Sequence, residues 1–130
     1  MKILIVEDDF PSRLIMQKML GKYGRCHTVV NGVEAVDAFR NAVESNDPYD
    51  LVCLDIMMPE LDGQSALKQM RQLEESRGIF STCGTKIIMT TALGRMENVM
   101  EAFRELCDGY LVKPIEPEKL YQELEKLELI

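Results

Sequence analysis

The chain lacks any long hydrophobic run, any closely spaced cysteine pair and any basic stripe, and each absence removes a class of function. No apolar stretch approaches the roughly 18 residues that a membrane-spanning helix needs. Met1-Lys2 leads directly into a short strand-like run, where a signal peptide would carry an apolar region and a cleavage site. A cytoplasmic protein without membrane contact is expected. Cys26, Cys53, Cys83 and Cys107 are widely spaced with no CxxC pairing, which argues against a zinc site or a disulfide framework and for reduced thiols, at least one of them a core filler. A formal charge of -7 with no basic stripe leaves nothing to neutralise nucleic-acid phosphates, so no nucleic-acid partner is expected. Acidity of this kind serves solubility, although clustered acids can also hold a metal. No linker, repeat or low-complexity segment interrupts the 130 residues, so one domain over 1–130, with no output domain, is the expectation.

What the chain does contain is an alternation of short apolar runs with helical patterns. Lys2-Ile3-Leu4-Ile5-Val6 is rich in β-branched residues and predicts a first strand that ends in Glu7-Asp8-Asp9. Pro11 suits the first turn of a helix capped by Asp9 or a neighbour, with Leu14, Ile15, Met19 and Leu20 at helical spacing before Gly21. Cys26 to Val30 predicts a second strand, and Val33, Val36, Phe39 and Val43 a second helix. The uninterrupted Leu51-Val52-Cys53-Leu54 predicts a third strand buried on both faces. A helix follows from about Gly63 to Arg77, and then a long connection through Ile79 and Phe80, which are expected to tuck back onto the core. Lys86 to Thr91 and Gly109 to Lys113 predict the last two strands. Met96, Val99, Met100, Phe103 and Cys107 mark a helical face between them, and Leu120, Leu124 and Leu127 a final helix opened by Pro117. Five strand-helix alternations require a parallel α/β sheet with helices on both faces and right-handed crossovers.

Parallel strands all point one way, so residues that follow them share one edge of the sheet. There the sequence delivers Asp8 and Asp9, then Asp55, then Thr91 with Thr90 beside it, and finally Lys113. Singly, each has an ordinary structural explanation: a helix cap, a turn former, a β-prone threonine, a solubilising lysine. Together these leave unexplained why acids and one lysine coincide at a single edge. Carboxylates packed within a few Å repel one another and need compensation. A hard cation such as Mg²⁺ supplies it, holding one or two carboxylates and leaving positions for water and phosphate oxygens. Lys113 and Thr91 offer a charge and a hydroxyl for phosphate oxygens, so the set suits phosphoryl transfer.

In these motifs the chain resembles the response-regulator receiver domains of two-component signalling, of the chemotaxis-protein type. The matching stretches are Asp8-Asp9, Leu54-Asp55-Ile56-Met57-Met58-Pro59 with Asp62-Gly63, Thr91-Ala92, and Tyr110-Leu111-Val112-Lys113-Pro114. The resemblance implies a flavodoxin-like, doubly wound five-stranded parallel sheet in the order 2-1-3-4-5, with ligands at the crevice where that order reverses. It implies that Asp55 accepts a phosphoryl group from a phosphohistidine, on a histidine kinase or a phosphotransfer protein. By the same resemblance Asp9 and Asp55 ligate Mg²⁺ directly, Asp8 through water, and Met57 through its backbone carbonyl. Lys113 would pair with the phosphate and precede a cis bond to Pro114, while Thr91 and Tyr110 would move as a switch. A downstream target protein would dock on the surface made by the helix predicted at 96–107, the fifth strand and the last helix, with the protein a monomer or a phosphorylation-dependent dimer.

Such a protein is a binding module controlled by phosphorylation, and not an enzyme that turns over a metabolite. A phosphorelay intermediate that passes its phosphate to another histidine is the alternative within the same class. An aspartate-nucleophile phosphatase would commonly carry a second acid two residues after the nucleophile, where Met57 stands here. A flavin carrier would need donors for a cofactor phosphate where the loop after the first strand is acidic.

Overall fold

A computed structural model of the protein describes residues 1–56, 62–79, 84–92 and 106–130. Its strands are β1 (Lys2–Val6), β2 (Arg25–Val29), β3 (Leu51–Asp55), β4 (Lys86–Ala92) and β5 (Gly109–Lys113). Its described helices are α1 (Phe10–Leu20), α2 (Gly32–Glu44), α3 (Gly63–Ser76) and α4 (Pro117–Lys126). The strands form one sheet in the order β2-β1-β3-β4-β5, every neighbouring pair parallel.

The unbroken apolar runs are explained by burial on both faces. Leu4, Val6, Val52, Leu54, Ile87 and Met89 pack on one side with Phe39 of α2 and Leu67 and Met70 of α3. Ile3, Ile5, Leu51, Cys53 and Ile88, one residue out of phase, pack on the other with Met16 and Leu20 of α1 and Leu120 and Leu124 of α4. Alternation along each strand therefore feeds two cores at once. Cys53 is a core residue, and burial, with Cys26 nearby, pushes its thiol pKa up to about 12. Cys26, Cys53 and Cys107 are all free thiols.

Three helices begin on a side-chain cap that accepts from the backbone N–H three residues on: Asp9 from Ser12, Asn31 from Glu34 and Asp62 from Ser65. β2 starts one residue before its expected position, and β4 runs one residue further, to Ala92. Ile79 packs against the α2–α3 core, as expected of that connection. Phe80 and the helical face at Met96, Val99, Met100 and Phe103 lie outside the described residues. No helix among the described residues is long and apolar enough to cross a membrane.

Gly63 shows how tightly α3 abuts the third strand. Its N–H donates to Ile56 O at 3.1 Å, and a Cβ there would lie 2.2 Å from the carbonyl oxygen of Asp55. Backbone cannot yield as a flexible side chain does, so Gly63→Ala is expected to lower stability by about 1–3 kcal/mol, as overpacking does. Urea unfolding measures it, and an unchanged midpoint would show that α3 can shift freely.

At the opposite edge, where β4 and β5 begin, α3 contributes a buried ion network. Arg71 Nη1 donates to Glu74 Oε1 at 2.7 Å and to Thr85 O at 2.9 Å, its Nη2 to Asp108 Oδ2 at 2.8 Å, and its Nε to Leu106 O at 2.7 Å. The second oxygen of Glu74 accepts from Thr85 N, and Asp108 Oδ2 accepts from Ile87 N. Arg71 and Glu74 are both buried.

Candidate functional site

The register of the sheet decides which acids meet. Val6 pairs with Leu54, so the residues immediately beyond them, Glu7 and Asp55, stand level at the ends of β1 and β3. Both are 3% exposed. Asp8 follows, solvent-exposed, and one carboxylate oxygen from each of Glu7, Asp8 and Asp55 lies within 4.8 Å of the others. On the far side of β3, Asp55 pairs in register with Thr90, and Ala92, which follows Thr91, pairs with Lys113. Lys113 Nζ forms an ion pair with Glu7 Oε1 and lies 3.4 Å from Asp55 Oδ2.

Asp9, expected as a direct metal ligand, is not part of this group. Its Oδ2 accepts from Ser12 N at 3.1 Å and Ser12 Oγ at 2.6 Å, and these bonds hold its pKa below the ordinary value. The acid pair that joins Asp55 at the strand end is Glu7-Asp8, one residue before the Asp8-Asp9 pair that the resemblance implies. β1 stops at Val6, which makes Glu7 the first residue past the strand and carries Asp9 onward into the helix cap. A signal was present: both apolar runs, Ile3–Val6 and Leu51–Leu54, are four residues long and each ends at an acid.

Thr91 is 1% exposed, and among the described residues its hydroxyl makes a long contact, 3.4 Å, with Ala92 O. Tyr110, three residues before Lys113 on β5, is 44% exposed and so faces solvent. The Lys113–Pro114 peptide is cis, as expected. Met57 lies outside the described residues.

Among the described residues of this cluster, three carboxylates against one ammonium leave a formal excess of two negative charges. Burial raises the pKa of Glu7, the Asp55 carboxyl raises it further, and Lys113 pulls it partly back. Burial pulls Lys113 down, but the Glu7 and Asp55 carboxylates more than offset this and its pKa ends raised. Glu7 Oε2 is buried without a hydrogen-bond partner among the described residues. A buried oxygen in that condition is costly, and a hard divalent cation satisfies it together with the excess charge. The donor set of Glu7, Asp8 and Asp55 therefore fits such an ion, and it is all oxygen, as Mg²⁺ prefers.

The raised pKa of Glu7 carries a stability consequence. A carboxyl raised above its ordinary 4.5 by folding stabilises the fold while protonated, and that contribution is lost as pH rises through the raised value. Without divalent metal, wild-type stability is expected to fall more steeply with pH above about 4.5 than that of Glu7→Gln, which cannot ionise. Thermal melts in chelator across pH 4–7.5 compare the two, and parallel curves would show that Glu7 bears no such cost.

Sequence and structure comparisons identify the family and the fold. The response regulator receiver domain family matches residues 3–125. Chemotaxis protein CheY of Bacillus subtilis is 30% identical over 130 residues, covering 96% of this chain and 95% of that protein. A probable histidine kinase of rice is 32% identical over 132 residues, covering 94% of this chain but only 12% of the kinase, so the chain corresponds to a small part of that protein. Among solved structures, the receiver domain of a Pseudomonas aeruginosa sensor histidine kinase, with a magnesium ion coordinated in its active site cleft, superposes with a TM-score of 0.77 at 28% identity. That superposition covers 97% of this chain and 95% of that one.

Proposed function

Because the chain belongs to the response regulator receiver domain family, we propose that it is a signalling phosphoacceptor whose acceptor is the carboxylate of Asp55. The observation that carries this is position: Asp55, on β3, has Glu7 and Asp8 on its β1 side and Thr91 and Lys113 on its β4–β5 side. An Asp55 oxygen attacks the phosphorus of a phosphohistidine, the P–N bond breaks, and the imidazole leaves with the bonding pair and takes up a proton. Glu7, Asp8 and Asp55 would hold Mg²⁺, with the Met57 carbonyl as a further oxygen. A bound Mg²⁺ neutralises phosphoryl oxygens and aligns the transferring group. Asp9 is assigned to the helix cap instead.

Lys113 is held ready by its two carboxylates and would turn its ammonium to donate a charge-assisted hydrogen bond to a phosphoryl oxygen, giving up part of its attraction to Glu7. The Thr91 hydroxyl, with no strong acceptor of its own among the described residues, would donate to a second oxygen. Its movement would free space for Tyr110 to turn inward, a change in the face formed with α4 that a target protein would sense. The aspartyl phosphate would be lost by water attack at phosphorus within the same site, so the chain catalyses both its own phosphorylation and its dephosphorylation. The donor is a histidine kinase or phosphotransfer protein, and the setting is cytoplasmic.

Incubation with acetyl phosphate and Mg²⁺ is expected to add one phosphoryl group that hydroxylamine removes, the reaction typical of an acyl phosphate, and chelation of Mg²⁺ is expected to prevent it. A phosphoryl group resistant to hydroxylamine would overturn the carboxylate as acceptor.

A further inference from the structure

The loop that carries Glu7 and Asp8 is held to the first turn of α1 by one side chain. The backbone N–H of Arg13 donates to Asp9 O at 2.9 Å, the first i→i−4 bond of α1 and one that any non-proline residue there makes, while its guanidinium Nη1 reaches back to donate to Glu7 O, also at 2.9 Å. Asp8 is the residue between those two carbonyls. On the strand side the loop is anchored by Glu7 N, which donates to Val29 O of β2 at 3.1 Å. The guanidinium is itself braced, lying 5.4 Å from the centre of the Phe10 ring. Arg13 makes no ion pair with any of the three clustered carboxylates among the described residues, so its attachment is to main chain. We propose that Arg13 is a positioning residue for the cation site: by tying the Glu7 carbonyl to the first turn of α1, its guanidinium sets the separation of the Glu7 and Asp8 carboxylates at which a divalent ion can take both.

This inference rests on the reading of Glu7, Asp8 and Asp55 as cation ligands. It makes a prediction opposite in sign to simple electrostatics. A cation beside the site repels Mg²⁺, so removing the Arg13 charge without disturbing the loop would tighten binding. Removing a clamp loosens it, and outer partners of metal ligands typically contribute ten- to hundredfold in affinity.

The test is titration with MgCl₂ at constant ionic strength, followed calorimetrically, for wild type, Arg13→Met, Arg13→Lys and Glu7→Gln. Melts in chelator verify that each variant is folded at the titration temperature. Arg13→Met is expected to bind Mg²⁺ about tenfold more weakly. Arg13→Lys, with one ammonium that can still reach a carbonyl, is expected to recover part of the loss. Binding by Arg13→Met equal to or tighter than wild type would overturn the positioning role, and so would Arg13→Lys weaker than Arg13→Met. Mg²⁺ binding that survives unchanged in Glu7→Gln would instead overturn the ligand assignment beneath it. Should Arg13→Met fail to fold, Arg13→Gln takes its place, and Mg²⁺ binding by it equal to or tighter than wild type would overturn the positioning role.

Discussion

Asp55→Asn is expected to take up no phosphoryl group above background from acetyl phosphate and Mg²⁺, under conditions that label the wild type fully. Asparagine matches aspartate in shape, so β3 keeps its pairing with β1 and β4 and the cores on both sides of the sheet are unchanged. What is lost is the anionic oxygen, and a neutral amide is neither an effective nucleophile nor a good ligand for a hard cation. The other two acids are poor substitutes. Glu7 is engaged by Lys113, and Asp8 is exposed. The variant should also be at least as stable as the wild type without metal, because it removes one of three mutually repelling carboxylates. Mass spectrometry of intact protein reads the outcome. Labelling of Asp55→Asn at the wild-type rate would move the acceptor to another carboxylate.

Arg71→Met is expected to lower stability by about 3–5 kcal/mol, the cost typical of breaking a buried ion pair from one side. Methionine fills much of the volume of the arginine stem, so the loss would come from polarity and not from a cavity. It removes the counter-charge of Glu74, which is 2% exposed and keeps the Thr85 N–H as its remaining donor in the network, and leaves Asp108 with the Ile87 N–H as its own. The carbonyls of Leu106 and Thr85 lose a donor as well. A control separates this from the general effect of removing an arginine: Arg40 pairs with Asp37 on an exposed face of α2, and Arg40→Met should change stability by less than about 1 kcal/mol. Urea unfolding measures both, and a loss under about 1 kcal/mol for Arg71→Met would mean that water enters and solvates the stranded acids.

Much of the architecture was legible because its signals are local. An apolar run of four or five residues ending in an acid has few ways to be buried, and in β1 and β3 it is buried on both faces, with 0–1% exposure from Ile3 to Val6. Helix starts at Asp9, Asn31 and Asp62 could be read from side chains that reach the third N–H ahead. β5 and the start of α4 fall where Gly109, Pro114 and Pro117 mark them. Once the strands are parallel, Asp55, Thr91 and Lys113 must arrive at one edge, and that follows from connectivity alone.

Other features depended on distances between strands, which no local pattern encodes. The equal apolar runs before Glu7 and Asp55 point to these two acids, but only the pairing of Val6 with Leu54 sets them level, and two positions further on Asp9 is an exposed helix cap. The Arg71 network joins residues 37 apart in sequence, and nothing near Arg71 indicates that its partner precedes β5. The grip of Arg13 on the Glu7 carbonyl likewise appears only when α1 folds back over the loop it follows. The sequence by itself determined the sheet, its two cores and the edge to which the reactive groups come. The tertiary structure decided which acids stand together there, because a carboxylate's partners depend on ångström-scale register between strands, while the order of strands depends only on the alternation of apolar runs and helices.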